Sequence, residues 1–177
     1  MTITYIVRVE NRPGVLTRVT EVFRRRAFNI ESLTVGHTEM PGVSRMTIVV
    51  ETDADAGRRM EAHLYKLVNV LHVDTVTEQP SVFRDLAMIK VAATPETRSQ
   101  VMQLVDVFRA RVIDVSPASM VIEITGTEDK IDGFVDVLRP YTVLEMARTG
   151  RLAMRRGVSE PAAAGGASAA ADDVAAA

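Results

Sequence analysis

The sequence contains no cysteine and no tryptophan, and aromatic residues make up only 5% of its 177 residues. Without cysteine the chain has no disulfide, no thiolate metal site and no cysteine nucleophile. The scarcity of aromatic residues disfavours a stacking platform for single-stranded nucleic acid. A formal net charge of −2 gives no field that would attract nucleic acid or an anionic membrane. We therefore expect neither nucleic acid nor a membrane among the partners of this protein.

The sequence also lacks long apolar runs. Its apolar stretches are far shorter than the roughly 20 residues that span a bilayer, and its first residues do not resemble a secretory signal peptide. Hydrophobic residues nevertheless amount to 47% of the chain, enough to form a buried core. These features predict a cytoplasmic protein with one medium domain or two small ones.

Residues typical of catalytic or metal sites are few. The three histidines, His37, His63 and His72, have no metal-binding spacing, which favours structural or solvent-exposed roles. Asp53 and Asp55 are placed to cap a helix, and we favour that role over paired-carboxylate catalysis. No glycine-rich phosphate loop follows a predicted strand. The sequence therefore predicts no catalytic residue, no metal site and no cofactor in this chain.

The pattern of apolar residues predicts two successive units of the same architecture. Apolar residues alternate in the predicted strands and recur every three to four residues in the predicted helices. In the first unit we predict strand 2–10, a helix from 15 to about 27, strands 30–38 and 44–52, helix 54–66 and strand 68–79. In the second we predict strand 85–92, a helix opened by Thr94, strands 112–116 and 120–127, a helix from Thr127 to Arg139, and strand 141–147.

This order predicts an α+β protein with two ferredoxin-like βαββαβ domains in tandem. The predicted domains are residues 1–79 and 80–157. Residues 158–177 form a third segment, in which ten of twenty residues are alanine. Such a composition is typical of a disordered tail, because it buries too little apolar surface to offset the entropy of ordering. A frayed alanine-rich helix over residues 169–177 is the alternative.

Two groups of arginines leave their roles open. The run from Arg24 to Arg26 either contacts phosphate or forms the solvated end of a helix, where positive charge suits the helix dipole. The group of Arg148, Arg151, Arg155 and Arg156 forms either a docking patch for an acidic partner or a solubilising end-piece. The sequence does not distinguish between the last two.

The segment between the first strand and the first helix is the most informative one for function. The free N–H groups at a helix start attract an anion such as a carboxylate, and Gly14 lets a ligand approach the backbone closely. Asn11 offers both a donor and an acceptor, which suits a zwitterion. The alternative is that Asn11 and Gly14 only form a tight turn, and physical reasoning alone supports both equally.

Several segments resemble known proteins. Residues 9–19 resemble the opening of an ACT domain. Other segments resemble a narrower group, the small regulatory subunit of acetolactate synthase (acetohydroxyacid synthase). These segments are residues 29–35, 44–48, 66–71, 108–115 and 128–132. The resemblance covers about residues 1–157 and rests on several blocks in the same order.

The resemblance implies that catalysis belongs to a separate, larger subunit that carries thiamine diphosphate, Mg²⁺ and FAD. That subunit condenses pyruvate with pyruvate or 2-oxobutyrate in branched-chain amino-acid biosynthesis. The small subunit raises the activity of the large catalytic subunit and confers feedback inhibition by valine, or in some members by leucine or isoleucine. The alternative is an ACT-domain sensor of amino acids that regulates a different metabolic enzyme.

The family also implies a homodimer through paired ACT domains, with the effector between the two copies. If the family's effector site is transferred to this sequence, one wall of the site consists of Asn11, Gly14, Val15 and Leu16. The other wall comes from the second strand of the neighbouring copy and consists of Asn29, Ile30, Thr34 and Gly36. Positions 12 and 13 are often small or acidic in the family, whereas this chain has Arg12 and Pro13.

Overall fold

The computed structural model describes residues 1–157, so the predicted tail at 158–177 lies outside the described residues. The first half of the chain forms one antiparallel sheet with two helices on one face. Its strands lie in the order β2-β3-β1-β4. The elements are β1 (Thr2–Glu10), α1 (Val15–Arg25), β2 (Ile30–His37), β3 (Val43–Glu51), α2 (Ala54–Leu64) and β4 (Val70–Thr75).

The core of the first half follows from the alternation in β1. Tyr5 and Val7 point towards the helices and are buried with Phe23 and Met60. The rings of Tyr5 and Phe23 meet edge to face, with centroids 6.2 Å apart. The Tyr5 hydroxyl donates a hydrogen bond to the carbonyl of Gly57 over 2.9 Å, so α2 is held to the sheet by a buried polar contact as well.

The second half repeats the architecture. Its sheet has the strand order β6-β7-β5-β8, and an additional strand, β9, pairs with β5. Ile89 and Ile122 from the sheet are buried against Ile131 and Phe134 of α4. The elements are β5 (Ser81–Ala92), α3 (Arg98–Val107), β6 (Arg111–Val115), β7 (Ser119–Gly126), α4 (Glu128–Leu138), a 3-10 turn (Arg139–Tyr141), β8 (Val143–Arg148) and β9 (Leu152–Arg155).

The structure confirms the predicted α+β architecture of two βαββαβ units, but several boundaries differ from prediction. The predicted helix start at Thr94 is wrong, because Thr94 begins a turn and α3 starts at Arg98. In this turn the carbonyl of Thr94 accepts hydrogen bonds from the N–H groups of Thr97 and Arg98. Thr127 does precede α4, although its hydroxyl does not cap the helix. The last predicted strand starts later because the 3-10 turn intervenes before Val143.

Strand β9 was not predicted. It pairs antiparallel with the first four residues of β5, so Ser81–Arg84 and Leu152–Arg155 form a two-stranded ribbon. The ribbon lies over the face of the first sheet that the helices leave open, where Ala153 and Phe83 pack against Ile6. The first sheet is therefore covered on both faces, by helices on one and by the ribbon on the other.

In the part of the chain that the structure describes, no helix is long and apolar enough to cross a membrane.

Candidate functional site

The loop between β1 and α1 adopts a defined conformation. The N–H of Asn11 donates to the carbonyl of Gly42 over 2.8 Å, and the N–H of Arg12 donates to Glu10 over 3.0 Å. Gly14 directly precedes α1 with a φ of +81°, a left-handed conformation that favours glycine. The predicted turn is thus present, and it delivers the chain to the start of α1.

The start of α1 is open to a ligand. Within residues 1–157 no side chain caps this helix, and its first turn carries no acidic residue. The N–H of Val15 donates to the carbonyl of Arg12 over 3.3 Å. The next N–H groups of the first turn have no side-chain cap, and their partial positive charge favours a bound anion. A methyl group at Gly14 would meet no heavy atom within 4 Å, so the space beside the helix start is free.

A chain of polar side chains braces the loop. Arg18 donates to Asn69 over 2.7 Å, and Asn69 donates to the Glu10 carboxylate, also over 2.7 Å. Glu10 in turn forms an ion pair with Arg12 over 3.4 Å. Sequence reasoning missed Arg18 and Asn69 as supports of the site. Asn69 lies 51 residues from Arg18 and 59 from Glu10, so no local spacing signals the contact.

The structure brings the four predicted residues of the first wall together, but they contribute differently. The Val15 side chain is buried in the core, because the helical period places it on the inner face, so only its backbone faces the loop. Asn11 is exposed, and Leu16 exposes 41% of its surface beside the helix start. Asn11 and Leu16 are therefore the two side chains available to a ligand.

The predicted second wall lies on β2, an edge strand of the first sheet. Gly36, near the end of β2, pairs with Arg45, which pairs with Arg8 close to the loop. Ile30 lies at the other end of the same strand, roughly 20 Å away at about 3.3 Å per residue. Asn29 and Ile30 therefore do not meet the Asn11–Leu16 loop of their own chain.

The side chains of β2 point to two different faces. Ile30 and Leu33 pack against the helix-side core, and Val35, opposite the buried Met46, shares that face. The hydroxyl of Thr34 points to the other face and donates to the carbonyls of Thr149 and Arg151, over 3.2 and 3.3 Å. Val35 exposes 45% of its surface, and the sequence analysis did not include it.

A groove of about 600 Å³ runs between α1 and α2 from the helix start. It is basic, with Arg18, Arg26, His63 and Lys66 among its lining residues. Burial lowers the pKa of His63, and the positive charges of Arg26 and Lys66 lower it further. In the Arg24–Arg26 run, Arg24 and Arg25 each form an ion pair with Glu21 over 2.9 Å, as expected at a solvated helix end.

Three of the four arginines near residue 150 form contacts within the molecule, which neither alternative from the sequence included, whereas Arg156 is exposed. Arg148 contacts Asp132 over 2.7 Å and Asp85 over 3.3 Å. Arg155 pairs with Asp74 over 2.9 Å, and Arg151 contacts several elements described below. Burial raises the pKa of Asp85 above its usual value, although the charge of Arg148 opposes the shift. These three arginines join structural elements and are mostly buried.

The carboxylates and histidines of the described residues form structural contacts. Within the described residues no group of three or more such side chains is placed to hold a metal ion. His72 pairs with Asp74 over 3.1 Å beside the Tyr65 ring, as a structural contact. Asp53 accepts from the N–H of Ala56 over 2.7 Å, which confirms its predicted capping role and lowers its pKa.

Each half of the chain matches a known protein family. Residues 6–72 match the family described as the AHAS small subunit-like ACT domain, and residues 84–157 match the family described as the small subunit of acetolactate synthase. The acetolactate synthase small subunit of Bacillus subtilis is 44% identical over 155 residues, covering 87% of this chain and 90% of the relative. The chain belongs to the acetolactate synthase small subunit family.

Two further relatives support this family assignment. A protein of Archaeoglobus fulgidus named "Probable acetolactate synthase small subunit" is 52% identical over 154 residues, covering 87% of this chain and 96% of that protein. The crystal structure of the acetolactate synthase small subunit from Thermotoga maritima has a TM-score of 0.83 at 40% identity. It covers 90% of this chain and 99% of that one.

The two matched regions correspond to the two sheets. The ACT match contains the Asn11–Leu16 loop and the edge strand β2, and it ends within β4. The second match begins at Arg84, within the ribbon, and runs to the end of the described residues. The loop and the edge strand are therefore features of the ACT part of the chain.

Proposed function

We infer that this chain is the regulatory subunit of acetolactate synthase, which binds a separate catalytic subunit, raises its activity and confers feedback inhibition by valine. Membership of the small subunit family supports the proposal that the partner is the catalytic subunit of acetolactate synthase. The observation that carries the regulatory part is the uncapped start of α1 behind Gly14, with Asn11 and Leu16 exposed beside it. Thiamine diphosphate, Mg²⁺ and FAD belong to the catalytic subunit in this proposal, and this chain supplies none of the chemistry.

The proposed effector site is completed by a second copy of the chain. Edge strands expose unpaired backbone groups, and two β2 strands related by a two-fold axis pair antiparallel and continue the sheet. In that arrangement the start of one β2 lies beside the end of the other. Asn29 and Ile30 of the second copy thereby reach the end of the sheet that carries the Asn11–Leu16 loop.

The chemistry of this composite site suits a small aliphatic amino acid. The carboxylate binds the N–H groups at the start of α1, and the ammonium group binds the side-chain carbonyls of Asn11 and Asn29. The aliphatic side chain packs against Leu16 and against Ile30 and Val35 on the helix side of β2. An additional methylene changes binding by about 1–3 kcal/mol in such pockets, so valine, leucine and isoleucine are distinguished only moderately.

The structure suggests different contributions from the eight residues proposed for the site. Val15 contributes through its backbone, and Gly36 allows close approach at the end of β2. Thr34 lies on the face opposite the helices, so its hydroxyl contacts the second half of the chain. Arg12 is paired with Glu10, which keeps its charge from competing with the start of α1 for the effector carboxylate.

Regulation then follows from linkage. An effector that binds between two copies shifts the pair towards the state that binds it better. The same free energy must appear in the interaction with the catalytic subunit, because coupling between two sites is reciprocal. Valine therefore changes how the catalytic subunit is held without touching its active site.

Titration calorimetry of valine into the purified chain tests the site. We expect Asn11→Ala to weaken binding about ten-fold through loss of a hydrogen bond to a charged group. We expect Gly14→Asp to abolish binding, because its carboxylate would occupy the helix start and repel the ligand. Gly157→Asp is the matched control, since Gly157 has a φ of +78° and open space around it but lies far along the chain.

The site assignment fails if valine does not bind the wild-type chain or if Gly14→Asp binds it normally. The partner is tested separately, by purification of the tagged chain from its native extract and identification of the protein that accompanies it. Recovery of a different metabolic enzyme would favour the alternative of an ACT-domain sensor for that enzyme.

A further inference from the structure

Two side chains of β2 join this edge strand directly to the second half of the molecule. The N–H of Arg151 donates to the Ser32 hydroxyl over 2.9 Å, and the Thr34 hydroxyl donates to the carbonyls of Thr149 and Arg151. The partners are separated by 115–119 residues of sequence. We call Thr149–Arg151 the bridging turn.

The bridging turn fits closely against β2. Gly150 has a φ of +85°, and a Cβ atom there would lie 2.5 Å from the Ser32 hydroxyl oxygen. Only glycine therefore allows the turn to approach at this distance without displacing Ser32. The turn is also anchored on its other side, where the N–H of Thr149 donates to Leu86 over 3.0 Å. A shift of β2 thus requires a shift of the bridging turn.

The Arg151 side chain extends from the bridging turn to three other elements. Its guanidinium donates to the Thr4 hydroxyl on β1 over 3.1 Å and to Glu128, the first residue of α4, over 2.5 Å. It also lies over the Phe83 ring on β5, 5.3 Å from the centroid. Arg151 is mostly buried and Thr4 is completely so. One side chain therefore connects the first sheet to the helix layer of the second half.

Further contacts between the halves lie on other strands of the first sheet. Arg155 pairs with Asp74 on β4, Arg45 on β3 donates to the carbonyl of Ala153, and Ala153 packs against Ile6. These contacts hold the ribbon to β1, β3 and β4 of the first sheet. The bridging turn differs from them because it contacts the edge strand that we assign to the effector site.

We propose that Arg151 is a positioning residue that couples β2 to α4, so that it sets how strongly effector binding changes the second half of the chain. This proposal rests on the proposed function, because it takes β2 as the strand that responds to the effector. The Arg151 side chain contacts none of the residues proposed for the effector site. Only its backbone carbonyl meets one of them, Thr34, and it does so on the sheet face opposite the helices. Removing its side chain should reduce coupling while leaving effector affinity intact.

The test compares Arg151→Gln with wild type in the mixture of small and catalytic subunits. We expect the affinity of the isolated small subunit for valine to change less than two-fold, whereas in the mixture the ratio of activities without and with saturating valine falls about ten-fold, within the usual range of coupling. Arg155→Gln is the matched control, since it removes a paired arginine four positions along and should keep the wild-type ratio. Arg151→Lys keeps the charge and should give an intermediate ratio.

A second readout does not depend on valine. Ser32→Ala removes the acceptor for the Arg151 N–H, and we expect faster hydrogen exchange in the first turn of α4, residues 128–131. In the Arg151→Gln background the same Ser32 substitution should leave this exchange unchanged. A merely structural role for Arg151 would instead change exchange throughout both halves and lower the Tm in parallel.

The outcomes separate the two claims. An unchanged activity ratio in Arg151→Gln, with wild-type valine affinity, overturns the coupling role. If valine does not inhibit the wild-type mixture, the proposed function fails, and the exchange experiment decides the coupling role alone. In that case a response of residues 128–131 to Ser32→Ala that requires Arg151 supports the coupling, and its absence overturns it.

Discussion

Tyr5 shows at the scale of one residue how the first core combines apolar and polar demands. Its ring is fully buried, and its hydroxyl donates to Gly57 on α2. Burial raises the pKa of Tyr5 from its usual 10.0 to about 12, and the negative charge of Glu61 adds to the shift. The hydroxyl is therefore held in its neutral form in the folded protein at a pH where it ionises in the unfolded chain.

Because the folded pKa of Tyr5 is raised, its contribution to stability is complete below pH 10 and is lost as the pH rises through about 12. We expect the free energy of unfolding to fall across this interval. In Tyr5→Phe the free energy of unfolding should fall less steeply with pH. This variant should also be less stable at neutral pH by about 1–3 kcal/mol, because the Gly57 carbonyl loses the hydrogen bond from the Tyr5 hydroxyl. Urea denaturation of both proteins at a series of pH values measures this, and parallel pH profiles would contradict it.

The sequence predicted the conformation of the candidate loop at the residue scale but not the contacts of each side chain. Gly14 and Asn11 were recognisable because turn chemistry before an amphipathic helix is a local signal. The burial of Val15 follows from the phase of that helix, which becomes definite only when Val19 and Phe23 are seen in the core. The contact of Asn69 with Glu10 joins distant parts of the chain, so the sequence contains no signal for it.

At the scale of elements, the ribbon of β5 and β9 is the main departure from prediction. Four residues are too few for alternation to be recognised within the surrounding arginine-rich segment, so the sequence left its arginines open between a docking patch and a solubilising end-piece. The repeated βαββαβ order was predictable because each element has its own periodicity. Tertiary packing decides what lies on the face of the first sheet that the helices leave open. In this protein β9 packs on that face.

Ala153 tests the ribbon. It exposes only 4% of its surface and packs against Ile6, so Ala153→Asp would bury an unpaired charge. We expect a loss of at least about 2 kcal/mol in the free energy of unfolding and faster proteolysis between the two halves. The matched control is Met154→Asp at a position that is 64% exposed, which should change stability by less than about 0.5 kcal/mol. Equal effects at both positions would argue against the ribbon.

At the scale of the whole molecule, the proposed dimer depends on which sheet edge pairs with a second copy. Val35 lies on the β2 edge with 45% of its surface exposed, and Ile113 lies on the β6 edge of the other sheet with the same exposure. We expect Val35→Lys to shift the dimer towards monomer and to weaken valine binding together, because a lysine on an edge strand disfavours pairing. Sedimentation at several concentrations measures the first effect and calorimetry the second.

Ile113→Lys is the control for that substitution, since it adds the same charge to an equally exposed edge. It should leave both the dimer and valine binding unchanged. Dissociation by Ile113→Lys, with Val35→Lys still dimeric, would place the pairing on the second sheet and remove the basis for a composite effector site.

The central claim, that this chain activates a separate catalytic subunit and confers valine inhibition on it, is tested most directly by one measurement. Acetolactate formation by the catalytic subunit is followed with and without this chain across a titration of valine. We predict a higher rate on mixing, which falls towards the rate of the catalytic subunit alone as valine increases. A rate that does not rise on mixing, or that rises and stays constant at every valine concentration, would contradict the account.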